Sequence, residues 1–294
     1  MRRRTFLSAS AAAVLSARLA RPLFALPPDS RYMKTIGLQL WTVRNQLEKD
    51  VPGTLKAVAT AGYRQAELMN VLQSDDIIRA AHDAGLDVES AFVDWQSVGN
   101  PNAADAPSFD TILEKAKAKN LKYLVFGYIG KGHRETVDHF KGHAERANAA
   151  GQKCRDAGIQ LCYHNHSFEF TELQDSKTGF DVLMDEFDRE LVKFEVDVFW
   201  VKIGGWDPIA TMKRLNGRVA QVHLKDLKAG TEVLHDEGQV PHDAFRELGA
   251  GTIDMAEVIK VAAETGAALC HVEQDQSPDP IASIGQSMQH LRKI

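Results

Sequence analysis

Residues 159–226 read IQLCYHNHSFEFTELQDSKTGFDVLMDEFDRELVKFEVDVFWVKIGGWDPIATMKRLNGRVAQVHLKD. Three short apolar runs, IQLCYH, VKFEVD and RVAQVHL, alternate with two stretches of helical spacing, TGFDVLMDEFD and DPIATMKRLN. Strands joined through a helix run parallel, so this segment is a β-α-β-α-β unit. Each run carries a metal-ligand type at or next to its end: His164, Asp197 and His223. A further run, ALCHVE at 268–273, ends on a fourth, Glu273.

The same alternation extends in both directions. Upstream lie TIGLQLW, RQAEL, DVESAFV and KYLVFG, separated by VPGTLKAVATA, DDIIRAAHDAG and SFDTILEKAKAKN. HFKGHAERANAAGQKCRDAG precedes the fifth strand, while DMAEVIKVAAETG and DPIASIGQSMQHLRK flank the eighth. Ala61-Gly62, Ala84-Gly85, Ala157-Gly158 and Thr265-Gly266 read as helix C-termini. Asp75, Ser108, Asp207 and Asp254 read as N-terminal caps or first-turn acids. Eight β-then-α units predict a single (β/α)8 TIM barrel. A doubly wound open sheet is the alternative, weakened because GLQLWTVRNQ stands where a glycine-rich phosphate loop would follow the first strand. The connection from Lys225 to Thr252 is the longest β-to-α loop and reads as a lid or wall on the mouth side.

The N-terminus, MRRRTFLSASAAAVLSARLARPLFALPPDS, has the shape of a twin-arginine export signal ending near Ala25. Its apolar part is too short and interrupted to span a bilayer. The expected organisation is therefore an export signal over 1–25 and one barrel over 26–294. The location expected is periplasmic or secreted, without a stable membrane anchor. Five of the 35 basic residues and none of the 40 acidic ones lie in 1–25, leaving the remainder at a net charge of −10. Such a balance argues against nucleic acid as partner. Cys154, Cys162 and Cys270 offer no disulfide framework and read as packing residues.

Strand side chains alternate faces, so His164 and His166 point the same way, as do His223 and Lys225, and His271 and Glu273. Inward barrel positions are normally apolar, and ligand types at the ends of four consecutive strands call for an explanation. The explanation adopted is one divalent metal held by His164, Asp197, His223 and Glu273, with His164 and His166 competing for one position. Two imidazoles and two carboxylates favour Mn, Co, Zn or Fe over Mg. Glu273, Lys225 and His166 are the candidate catalytic groups. Lys225 stabilises an oxyanion or acts as a base if its pKa is depressed; alternatively it pairs with Asp226 or Glu195. Gln39, Glu67 and Glu169 are suited to sugar hydroxyls, and Trp41 and Trp200 to pyranose faces.

The segments GLQLWTVR, GYRQAEL, YHNHSFEF, FEVDVFWVKIGGWDP, VHLKD, LGAGTIDM and HVEQD resemble the xylose-isomerase-like barrels, in particular the sugar phosphate isomerases/epimerases. The resemblance implies a small carbohydrate substrate, homodimers as a common state, and one divalent metal on the four residues above. It also implies proton abstraction beside a sugar carbonyl through an enediolate, hence an isomerase or epimerase. The epimerases carry a Glu on the fifth strand where this chain has His164, so elimination from a keto-sugar, keto-glycoside or cyclitol by a lyase or hydratase is the second reading. A non-catalytic sugar-binding barrel is the third. A repair endonuclease on this fold is disfavoured by the acidic balance.

Overall fold

The computed structural model describes residues 31–294, so the export signal expected over 1–25 lies outside the described residues. All eight expected strands form: β1 (Gly37–Gln39), β2 (Gln65–Glu67), β3 (Ser90–Val93), β4 (Tyr123–Phe126), β5 (Gln160–His164), β6 (Val192–Asp197), β7 (Val219–Leu224) and β8 (Leu269–Val272). They pair in parallel in the order β2-β1-β8-β7-β6-β5-β4-β3. Closure between β2 and β3 rests on Leu68, whose N–H donates to Ser90 O at 3.0 Å and whose carbonyl accepts from Phe92 N at 2.8 Å. The sheet is a (β/α)8 barrel, and the open-sheet alternative falls.

Helix ends fall where the local chemistry puts them. Asp50, Ser108, Asp207 and Asp254 each accept a first-turn backbone N–H. Asp75 is a first-turn acid rather than a cap. Gly62 and Gly266 close their helices with φ of 118° and 89°, a conformation only glycine adopts without strain.

Register aligns the C-terminal ends of the strands. Asp197 pairs with His223, His271 with His223, and His164 with Glu195. Outward strand residues such as Phe194, Val196, Val222 and Leu224 are fully buried under the helices. The interior differs from the sequence expectation in depth: polarity is not confined to the last inward positions. Gln65, Ser90, Glu195, Gln221 and His271 lie buried one layer below the mouth. Two short features also escaped the reading, a helix over Trp95–Gly99 after β3 and one over Val198–Ile203 after β6. Among the described residues no helix is long and apolar enough to cross a membrane.

Candidate active site

The β6-to-helix junction sets the geometry of the mouth. Asp197 ends β6 and caps the helix that follows, its Oδ1 accepting Trp200 N–H at 3.0 Å. This fixes the carboxylate and leaves Oδ2 facing inward, 2.9 Å from Lys225 Nζ. Asn165 locks the same corner, donating to Asp197 O at 3.3 Å and accepting from Asp197 N at 3.1 Å.

His223 is the hub. Its Nδ1 faces the mouth, 3.1 Å from Glu273 Oε2 and 3.8 Å from Asp197 Oδ2. Its Nε2 faces down, 2.7 Å from Glu67 Oε2. His164, Asp197 and His223 place one donor atom each within 4.8 Å of one another, all buried. His164 Nδ1 has no hydrogen-bond partner, and Asp197 Oδ2 has only the Lys225 ammonium. A buried imidazole nitrogen left without a partner beside a carboxylate and a second imidazole fits a borderline divalent ion. Burial and the neighbouring His223 push the His164 imidazole well down, so it is the neutral ligand form. Glu273 stands on the same side of His223 but is drawn to Lys225 Nζ at 2.6 Å. His166 does not join the group; it stacks on Phe168 and lines the cavity wall beside Trp200.

Lys225 differs from expectation. Its partners are Asp197, Glu273 and Asp275, the last at 2.6 Å, not Asp226 or Glu195. Burial works against the ammonium, but these three carboxylates outweigh it and raise its pKa well above the ordinary lysine value. Among these three carboxylates it stands as a cation, the form suited to stabilising an oxyanion. Asp226 instead accepts from Gly249, Gly251 and Ile253 N–H at 2.9–3.0 Å, cinching the long loop. That loop begins as a ribbon, Asp226–Leu227 against Phe245–Arg246, and its middle bonds to the helix after β6 through Leu234 N–H to Ile203 O at 2.9 Å. At its tip Glu237 takes two bonds from Arg134 and one from Tyr128 OH, across on the loops after β4.

A cavity of about 330 Å³ opens above β1 to β4 and touches the ligand cluster. Trp41, Trp200, Gln39, His166 and Glu273 line it, together with Asp275, Asn70, Asp94, Trp95 and Tyr128, none of which the sequence reading selected. Asp275 shared the inward phase of Glu273 and was legible by that signal. Glu67 and Glu169 do not line it. Glu67 is spent on Gln39 Nε2, Ser90 Oγ and His223 Nε2 at 2.6–2.8 Å. Burial opposes its charge, yet His271 and His223 bring its pKa to about 2. Glu169 sits behind β5, accepting from Tyr163 OH at 2.7 Å and His166 N at 2.9 Å, and burial pushes it up to about 7.

Residues 55–294 match the xylose isomerase-like TIM barrel family. The chain belongs to that family. Among curated proteins it is similar to inosose dehydratase of Clostridium botulinum (strain Alaska E43 / Type E3), 26% identical over 264 residues, covering 81% of this chain and 88% of the relative. Among solved structures it is similar to a sugar phosphate isomerase/epimerase from Parabacteroides distasonis ATCC 8503, with a TM-score of 0.72, 24% identity, and 93% and 98% of the two chains covered. A 3-keto-D-glucoside 4-epimerase from E. coli superposes with a TM-score of 0.65 at 15% identity, covering 88% and 99%. The family thus has isomerase/epimerase and dehydratase relatives, and the buried His/Asp/Glu cluster of this chain is of the kind that holds a divalent metal.

Proposed function

We propose that this protein is a divalent-metal-dependent enzyme that removes the proton beside the carbonyl of an uncharged keto-sugar, with elimination of a β-substituent as the outcome the site favours. The observation that carries this reading is the asymmetry of the mouth. One wall holds carboxylates clamped on an ammonium, Glu273, Asp275 and Lys225. Three strands round the barrel the end of β5 offers imidazoles, His164 and His166, and the other cavity-lining carboxylate, Asp94 after β3, accepts Gln96 N–H as a helix cap.

His164, Asp197 and His223, with Glu273 on the same face of His223, would hold the ion, which when bound supplies Lewis acidity toward a carbonyl oxygen. Lys225 stands behind Glu273 and Asp275 rather than on the cavity surface, and its positive charge offsets the negative charge of that wall. Burial raises Asp275 to about 6 against the pull of Lys225, so this cavity-lining carboxylate is the stronger base of the acidic wall near neutral pH. Glu273, pulled well below the carboxylate range by Lys225 and His223 against its burial, is the weaker base and the fixed anion. His166, pushed down to about 3 by burial, is neutral and can donate a hydrogen bond to a leaving oxygen, while the proton that oxygen takes up is the one Asp275 removes from the α carbon or one from water. Among the described residues no Lys or Arg lines the cavity, which argues for an uncharged sugar over a phosphosugar. Trp41, Trp95 and Trp200 give flat apolar surfaces for ring faces.

An epimerase is the second reading, with a water held by His166 returning the proton on the opposite face. The two are separated by products: the metal-loaded protein is incubated with cyclic keto-sugars and their glycosides, and NMR is used to look for an unsaturated ketone or an inverted centre. Elimination predicts the unsaturated product. Conversion to an epimer alone would overturn the lyase outcome, and no turnover of any keto-sugar would leave the sugar-binding barrel.

A further inference from the structure

One layer beneath the mouth lies a second set of four donors, in part shared with the first, that the proposed reaction does not use: Glu67, Glu195, His223 through Nε2, and His271. All four side chains are fully buried, and one donor atom from each lies within 4.8 Å of the others. His223 Nε2 is 2.7 Å from Glu67 Oε2 and 3.4 Å from Glu195 Oε1. His271 Nδ1 is 3.8 Å from the former oxygen and 4.0 Å from the latter. Oxygen and nitrogen ligands of a tetrahedral zinc-type ion, at ~2.0–2.2 Å from it, stand about 3.3–3.6 Å from one another. The observed separations bracket that range.

Two of the four, Glu195 and His271, lack other work, whereas Glu67 and His223 Nε2 are bonded to each other. Neither oxygen of Glu195 makes a hydrogen bond, although His164 Nδ1 approaches one at 3.5 Å, and His271 Nδ1 is likewise without a partner. A buried carboxylate left so is among the costliest arrangements a protein tolerates unless a proton or a cation neutralises it. With both imidazoles deprotonated to bind an ion, the two carboxylates carry a charge of −2, which one divalent ion cancels. Without an ion, burial works against a proton on His223, but Glu195 and Glu67 outweigh it and hold one there, raising the ring well above the ordinary imidazole value. The surroundings are built as for ligands. Ser90 and Gln39 hold Glu67 at 2.6 and 2.8 Å, Gln221 holds Ser90 at 3.0 Å, and glycine at 37 leaves the space that the His271 ring fills.

We propose that Glu67, Glu195, His223 and His271 form a closed second site for a divalent transition cation of the zinc class, with a structural role. It would tie β2, β6, β7 and β8 together across the barrel axis. His223 serves both sites, with Nδ1 toward the mouth and Nε2 toward the buried set, so double occupancy requires the ring to give up its last proton.

The test counts ions. The full chain is loaded with Zn²⁺, freed of excess, and its zinc-to-protein ratio measured by native mass spectrometry and plasma emission, beside His271→Gln, Glu195→Gln and His164→Gln. Two ions in the wild type, one in each variant, are expected. A single wild-type ion that His164→Gln removes and His271→Gln leaves overturns the buried site while keeping the mouth site. A single ion with the opposite pattern supports the buried site and sinks the mouth metal. No ion overturns both. If the buried-layer variants do not fold, the zinc count of His164→Gln, which leaves the buried layer intact, is the second measurement. One ion retained in His164→Gln supports the site, and none overturns it.

Discussion

Lys225 is wholly buried, and its ammonium sits 2.6–2.9 Å from Asp197, Glu273 and Asp275. Lys225→Met keeps the length of the stem and removes the charge, leaving three carboxylates facing one another without a counter-ion. Removing one partner of a buried ion pair costs about 3–5 kcal/mol, because the remaining charge is uncompensated. For a domain of this size ~1 kcal/mol moves the midpoint by about 2–4 °C, so the chelator-treated variant should melt about 6–20 °C below the wild type. Lys202→Met, on an exposed turn of the helix after β6, is the control and should stay within about 0.5 kcal/mol. A divalent ion replaces part of the lost charge, so loading should stabilise the Lys225 variant more than the wild type. Calorimetry in chelator and then in excess Zn²⁺ checks both parts. A fall of under about 2 °C in chelator would refute the reasoning, since it would mean that the three carboxylates do not need the ammonium.

Other perturbations probe separate parts. His143 is buried, with its ring bonded to His133 O at 2.7 Å and Arg146 at 3.0 Å, and burial pushes its pKa down to about 4. The unfolded chain takes up a proton below its ordinary value of about 6.5 while the native chain does not. Stability should therefore fall as pH drops from about 6.5 to 4, by up to about 1.4 kcal/mol per unit, and urea titrations of His143→Gln should lack that component. Glu237→Gln breaks the two-bond pair with Arg134 that pins the long loop, so trypsin should cut within 228–244 faster while the melting temperature changes little. Trp41 is 45% exposed on the cavity rim with Arg44 stacked over it, so Trp41→Ala should raise KM several-fold and leave kcat and stability nearly unchanged.

Much of this was legible in the chain itself. Alternation with period two placed His164, Asp197 and His223 on one interior surface, and strand order brought them together. Helix ends followed from Asp, Ser and Gly at positions where backbone groups need partners. Roles depending on distance across the barrel were not legible. Glu67 ends β2 as a surface-like polar residue would, yet closure of the barrel buries it against His223 from β7. Glu195 and His271 share the inward phase of Asp197 and Glu273, but only register shows that they meet one layer down. Lys225 had nearer candidates in sequence than Asp275, which the loop after β8 carries to it. Asn70, Asp94, Trp95 and Tyr128 lie in connections after β2 to β4, where no periodicity reports direction.

The central claim is metal-dependent removal of a proton beside a sugar carbonyl. It is tested most directly by deuterium wash-in. Keto-sugars are incubated in D₂O with the protein loaded with a divalent ion, with chelator-stripped protein, and with loaded His223→Gln, and exchange at the α carbon is followed by proton NMR. The account predicts exchange with the loaded wild type alone. Exchange that survives both chelation and loss of His223, or none with any keto-sugar at full metal occupancy, would contradict it.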